Sequence, residues 1–414
     1  MPTSTHEQAV QPVTNGCPVH SGGHTQQKTA PYPEPLDSKP IEQDAYGIWH
    51  IRGYVEARQI LRSEHTRQAG FKAELLEKMP STMSPPILYL EGKPHHEQRR
   101  ATARFFTPRT TDSQYRDFMS AFADELIAEF VRNGRADLSD LAMTMAVQVA
   151  ARVVGLTNST FPGMDKRIDK FLQQDPGDFG WTFRQIKQFL RNQIDLGLFY
   201  WLDVKPAIRQ RRQNPQEDVI SHLIAQGYQD MEILTEAVTY GAAGMITTRE
   251  FISVAFWHCM EQPEYRQLML TADKETRYGF LHELLRLEPV VGRLYRRATA
   301  DIHLPEHNIT IPEGSLIDLH VYATNADARV VKEDPLQICP GRELAEIQPK
   351  AQPFMLSFGD GSHRCPGAYI AIQETDIFLR KLLAIKTIAI EKEPTITYSE
   401  VAKGYELRQF IITA

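Results

Sequence analysis

Phe358-Gly359-Asp360-Gly361-Ser362-His363-Arg364-Cys365-Pro366-Gly367 reads as a tight loop that presents one cysteine and then enters a helix. Glycine tolerates backbone angles that other residues resist, and it lets a neighbouring group approach closely. Pro366 suits the first helical position, where its missing N–H has no intrahelical partner to lose. From Ala368 to Leu383 the pattern Ile372, Thr375, Phe378, Leu379, Leu382, Leu383 keeps helical spacing. Cys365 then sits at a helix N-terminus, where free amides and the helix dipole favour a thiolate. Gly367 and Ala368 are its nearest candidate N–H donors, and a thiolate held this way can ligate a metal.

This stretch resembles the haem-binding loop of the cytochromes P-450, Phe-Gly-x-Gly-x-His-x-Cys-x-Gly, at every fixed position. Ala371 and Glu374 fit its usual continuation. The resemblance covers residues 45 to 414 and implies a mainly α fold with small peripheral β-sheets. It also implies haem b (iron protoporphyrin IX) as cofactor, held by Phe358, Gly359 and Gly367, with Cys365 as the proximal iron ligand. An axial thiolate pushes electron density onto iron and favours O–O cleavage.

At 414 residues the chain has room for a large core. There is no internal repeat and no low-complexity linker past residue 45. Residues 41–414 therefore read as a single catalytic domain, and residues 1–40, rich in Pro, Ser, Thr, Gln, Gly and His, as a flexible leader. Cys17, His20 and His24 are potential zinc ligands in that leader but lack a well-placed fourth. The net charge of −6 gives no support for nucleic-acid binding. No run of eighteen uncharged apolar residues predicts a membrane span, and no secretory signal opens the chain. Cys17, Cys259, Cys339 and Cys365 do not make a disulfide framework in so long a chain, which suits the cytoplasm. The size matches a soluble bacterial member of the family and leaves no room for a fused reductase. A monomer served by a ferredoxin-type electron donor is expected.

The apolar periodicity predicts helices near 54–61, 95–106, 112–132, 138–154, 164–174, 181–212, 217–227 and 232–262. Strands are predicted over 46–51, within 301–324 and within 386–413, and a proline-broken loop over 79–90.

Further motifs gain meaning from the resemblance. Glu283-Leu-Leu-Arg286 places a carboxylate and a guanidinium one turn apart on a helix, a pair common on solvated surfaces. In the family it locks to a second arginine, here Arg342 of Cys339-Pro-Gly-Arg342, as a structural network. Cys339-Pro-Gly mimics Cys365-Pro-Gly but lacks the glycine loop before it and the apolar helix after it. Cys259 reads as packed. His363, His95, Arg99 and Arg296 match the family's haem-propionate positions, with His96 the competitor for His95; taken singly each would pass for a surface cation.

Ala243-Gly244-Met245-Ile246-Thr247 resembles the family's Ala-Gly-x-acid-Thr. Gly241, Ala242, Ala243 and Gly244 predict a thin helix face, and Thr247 a hydroxyl that helps deliver protons. Ordinary back-bonding of Thr247 to a carbonyl is the plainer alternative. Ile246 departs from the pattern, because it cannot titrate. Glu250, one turn on, is either a partial substitute or a solvated charge. The family analogy draws the walls of an apolar substrate cavity from Met83–Leu90, Phe179–Tyr200, Val290–Leu294 and Gly404–Tyr405. Arg364, Arg100, Arg104 and Arg109 could form a basic patch for an acidic electron donor. The reading is a haem–thiolate monooxygenase acting on a small or mid-sized apolar molecule. Its rivals are a haem–thiolate enzyme of atypical chemistry (oxidative coupling or peroxide-driven oxidation), which Ile246 keeps open, and a haem-binding sensor.

Overall fold

The computed structural model describes residues 26–31, 38–71, 73, 85–173, 183–399 and 403–414. Among the described residues helices dominate, with four small sheets between them. The organising element is the helix Thr247–Glu261, in which every residue from Thr248 to Cys259 is buried. A helix covered on all sides must satisfy its polar groups internally. Accordingly Ser253 bonds back to Arg249 O, while Glu250 and His258 each reach a fixed partner described below.

The central helix packs against Leu138–Val154 and Ala368–Leu383, two helices that the sequence predicted. Leu138–Val154 starts cleanly because the Asp137 side chain accepts from Ser139 N. The largest apolar core lies among these helices and Arg116–Asn133. A second core, including Ile51, Tyr54, Ile60, Ile317 and Leu319, sits under the five-stranded sheet.

That sheet runs Ile41–Gln43, Trp49–Ile51, Leu316–His320, Arg293–Ala298, Thr66–Gln68. Only the Trp49–Ile51 and Leu316–His320 pair is parallel. Arg293–Ala298 was not predicted, because three arginines interrupt its apolar alternation. Val321–Asn325 is helical, whereas the alternation over 301–324 suggested strands up to Thr324. The C-terminal segment forms the predicted strands, with Ile411–Thr413 between Arg135–Asp137 and Ala389–Lys392.

The expected 181–212 helix is divided: Phe183–Phe199, a π-helical Tyr200–Val204, and Lys205–Gln213. The 232–262 helix is divided likewise, with a π-helical stretch at Ala242–Ile246. A π stretch shifts the register of every side chain beyond it, and such bulges gather at functional sites.

Residues 26–29 depart from the expected flexible leader. Glu288 is fully buried and draws donors from Lys28 N (2.6 Å), Thr29 N (3.1 Å), the Thr29 hydroxyl and His258 Nε2 (2.9 Å). Gln26 N donates to Leu336 O, and Tyr322 OH to Thr29 O. A buried carboxylate must be paired, and the N-terminal segment supplies most of the pairing. The potential zinc ligands Cys17, His20 and His24 lie outside the described residues.

Candidate active site

The cysteine loop is built by its own backbone. Cys365 N donates to Phe358 O (2.8 Å), Gly359 N to Leu356 O (2.8 Å) and Arg364 N to Gly361 O (3.2 Å). Gly359 and Gly361 both take left-handed angles, φ +66° and +69°. A Cβ on Gly361 would stand 2.2 Å from Leu61 O, so only glycine allows the Tyr54–Arg62 helix this close. Asp360 is clamped by Arg58 Nε (2.7 Å) and by both ends of the Arg62 guanidinium. Pro366 lies in the turn rather than at the first helical position, and the helix begins at Ala368 with Gly367 as its cap.

Cys365 is a free thiol with accessible surface. Burial pushes its pKa up, and this outweighs the Gly367 N–H and the charges of Arg99 and Arg364, which pull it down. The Gly367 N–H is one of the two donors that the sequence placed nearest the sulfur, and a coordinated metal would deprotonate the thiol outright. Cys259 is free and buried, as expected. Cys339 is disulfide-bonded, one bridge in a chain whose cysteines suggested no disulfide framework.

Around this loop the structure gathers the predicted cations, in a changed arrangement. His95 and His363 stack face to face, ring centroids 4.1 Å apart and 17° from parallel. His363 Nε2 pairs with Glu91 Oε2 (3.0 Å), and Glu91 Oε1 accepts from Gln68 N. Glu91 is a site residue that the sequence reading missed. It lies beyond the motifs and follows a proline-rich loop, so no local signal marked it. His95 is buried with no partner for Nδ1, and burial beside His363 pushes its pKa down to about 4. The competitor His96 is exposed. Arg99 donates to Arg364 O. Arg296 is only 4% exposed, and its guanidinium donates to neutral acceptors alone, the Gln68 amide and Tyr295 O. Burial pushes its pKa down to about 10.

A buried guanidinium without a carboxylate on it, an imidazole nitrogen without a partner, and a free thiol on a glycine loop form one donor set. It fits a flat metal cofactor that carries carboxylates. Cys365 would hold the metal, while Arg296, His95 and Arg99 would take the carboxylates. Phe358 packs edge-on to Phe354 (5.0 Å) below the loop.

Glu283 and Arg286 form a bidentate pair, both contacts 2.8 Å, and Arg342 Nε reaches Glu283 Oε1 at 2.7 Å. Cys339 N adds a bond to the same oxygen. Burial pushes the Glu283 pKa up, but the Arg286 and Arg342 guanidiniums overcome it and hold the carboxyl below its usual range. Arg286 also ties down Asn325 O, Pro335 O and Gln337 O.

On the π stretch, Ala243 is exposed and Ile246 and Thr247 are half-buried. Thr247 Oγ1 donates to Ala243 O at 2.6 Å, the back-bonded arrangement. The thin-face expectation needs correcting at its glycines. The Cβ that Gly244 lacks would lie 3.7 Å from Ala150 Cβ, and that of Gly241 2.7 Å from Ile168 Cδ1. The first is an ordinary contact, so of the two only Gly241 lets a neighbouring side chain close in. Glu250 is neither a solvated charge nor an available acid. It is fully buried and accepts from Arg249 Nε (2.8 Å), Leu407 N (2.7 Å) and Arg408 Nη1 (2.7 Å).

Of the expected cavity walls, residues 83–84 and 179–182 lie outside the described residues. Val290 is buried, and Gly292 N donates to Lys403 O, which joins two of the walls. Just past the Phe179–Tyr200 wall, Trp201 is 60% exposed, with Lys205 Nζ 3.6 Å above its ring. Arg364, Arg100, Arg104 and Arg109 are all exposed. Among the described residues no helix is long and apolar enough to cross a membrane.

Comparison with known proteins matches residues 278–394 to the family model for cytochrome P-450. The chain is 24% identical to the biotin biosynthesis cytochrome P-450 of Bacillus subtilis over 82% of this chain and 83% of that protein. It is 23% identical to the erythromycin C-12 hydroxylase of Saccharopolyspora erythraea, over 84% of each. Among solved structures, CalO2 superposes with a TM-score of 0.74 at 18% identity, covering 91% of this chain and 93% of that one.

Proposed function

Because this chain belongs to the cytochrome P-450 family of monooxygenases, we propose that it oxidises a small or mid-sized apolar organic molecule. It uses dioxygen and two electrons from a separate ferredoxin-type protein, and it works as a cytoplasmic monomer. Haem b, bound on Cys365, supplies the oxygen-activating chemistry. The observation that carries this reading is the free thiol of Cys365 on its self-bonded loop, beside a buried Arg296 that has no carboxylate partner.

The chain's residues then have defined tasks. Arg296, Arg99 and His95 bind and orient the cofactor's carboxylates through charge-assisted hydrogen bonds. His363 joins that work by leaving its present partner Glu91, whose own carboxylate cannot bind another. Glu283, Arg286 and Arg342 fix the segment leading into the cysteine loop. Thr247 rotates away from Ala243 O to pass a proton. Ala243 and Ile246 shape the apolar space beside it.

A second reading rests on one observation. Ile246 carries no proton, and Glu250 is bound by three donors. No carboxylate adjoining Thr247 in sequence is therefore free to resupply it. This favours peroxide-driven or coupling chemistry, or a substrate that brings its own hydroxyl or carboxyl. The test is product formation with NADH and a surrogate ferredoxin and reductase, run beside hydrogen peroxide alone. Turnover with the redox chain supports the first reading, and turnover with peroxide only supports the second. Cys365→Ser should abolish the thiolate-type spectrum of the reduced carbon monoxide complex, and Cys339→Ser should keep it. A normal thiolate spectrum in Cys365→Ser overturns both readings.

A further inference from the structure

Far from the cysteine loop in sequence, two strands of the five-stranded sheet bring two histidines and a carboxylate together. His50 lies in register opposite Asp318, and His320 follows two residues later on the same strand. Side chains at i and i+2 of a strand share a face. His50 Nδ1 and His320 Nε2 stand 2.9 Å apart. Asp318 Oδ2 lies 3.6 Å from the first and 3.7 Å from the second. Bonds of about 2.0–2.1 Å to a tetrahedral zinc ion give ligand separations of roughly 3.3–3.4 Å. The triangle needs only a few tenths of an ångström of adjustment.

The surrounding hydrogen bonds aim both ring lone pairs at the same point. Asp44 Oδ2 lies 3.1 Å from His50 Nε2. A carboxylate only accepts, so Nε2 carries the hydrogen and, in the neutral ring, Nδ1 presents its lone pair. Arg293 Nη1 contacts His320 Nε2 and also donates to Asp318 Oδ2 at 3.1 Å. A guanidinium only donates, so His320 Nε2 is also a lone pair. Two lone pairs facing each other beside a carboxylate call for a cation between them. Asp318 Oδ1 is a second, independent sign: it is buried and has no hydrogen-bond partner.

We propose that His50, His320 and Asp318 form a binding site for a zinc-class divalent transition-metal ion. Imidazole and carboxylate donors suit such ions. Asp44 orients His50 from behind, as carboxylates commonly do for metal-bound histidine. Arg293, whose side chain is 28% exposed, is the cation that swings aside as the metal enters.

The test titrates haem-loaded, chelator-washed protein with zinc chloride by calorimetry, then counts zinc retained after gel filtration. One zinc per chain is expected, with affinity falling as pH drops below about 6.5, where imidazole protonates. His50→Ala and His320→Gln should each lose retained zinc. Asp44→Asn leaves the ligands and the core untouched, so it guards against a folding artefact; it should weaken binding roughly 10–100-fold. Arg293→Gln should tighten binding. No zinc on the wild type overturns the proposal. So does zinc held equally well by the His50, His320 and Asp44 variants, or weaker binding in Arg293→Gln.

Discussion

Glu250→Gln separates a structural carboxylate from a proton donor. Its carboxylate takes Arg249 Nε, Leu407 N and Arg408 Nη1, all within 2.8 Å, at a position with no solvent exposure. Glutamine keeps one accepting oxygen and turns an N–H₂ toward groups that only donate. Hydrogen bonds to charged groups contribute about 1.5–3 kcal/mol each, and unpairing a buried ion pair costs about 3–5 kcal/mol. We take the latter range. An unfolding entropy of about 2.1 cal/mol/K per residue over 414 residues converts it to a fall in Tm of about 3–6 °C. The strand Gly404–Arg408 should loosen from the central helix, because Leu407 loses its acceptor. The assay pairs thermal unfolding by circular dichroism with product formed per NADH. The expected outcome is a lower Tm with coupling within error of wild type at a temperature where both are folded. An unchanged Tm with coupling cut severalfold would refute the reasoning and return Glu250 to the proton path.

Ile246→Glu should raise product per NADH with plain hydrocarbon substrates by about twofold or more, a small share of the ~10²–10⁴ a positioned proton donor can contribute; tight coupling in the wild type with such substrates would argue against this. The Glu283 carboxyl is held below its usual range in the folded protein, so its stabilisation is fully present above the unfolded value of about 4.3 and is lost as pH falls through the folded value. The Tm gap between wild type and Glu283→Gln should therefore stay level from neutrality to about pH 4.3 and narrow below it; a gap that already closes near pH 6 would contradict the assignment.

What could be read in the sequence was what is local. Leu138–Val154 and Ala368–Leu383 carry their own periodicity, and the first its own Asp137 cap, so both helices were predictable. Glu283 and Arg286 are one turn apart, and the second arginine was found by its place before the cysteine loop. The errors came from partners far along the chain. Glu250 was misread because its donors Leu407 and Arg408 are more than 150 residues away. Glu91 meets His363 across 272 residues. The glycines of the thin face were assigned by pattern, yet their neighbours Ala150 and Ile168 belong to other helices. The π stretch at Ala242–Ile246 has no compositional signature at all.

The seating of Lys28 and Thr29 on Glu288 bears on the order in which this chain can be completed. Lys28 N and its acceptor are separated by 260 residues. A ribosome adding roughly 5–20 residues per second would take about 13–52 s to cover that span. The segment carrying Lys28 and Thr29 must therefore wait, unpaired, until residue 288 of the 414 has been made. Glu288, once made, needs that segment before it can be buried at low cost. A fusion that tethers or crowds the N-terminus would thus act only after synthesis has passed Glu288, at the closing of this one joint.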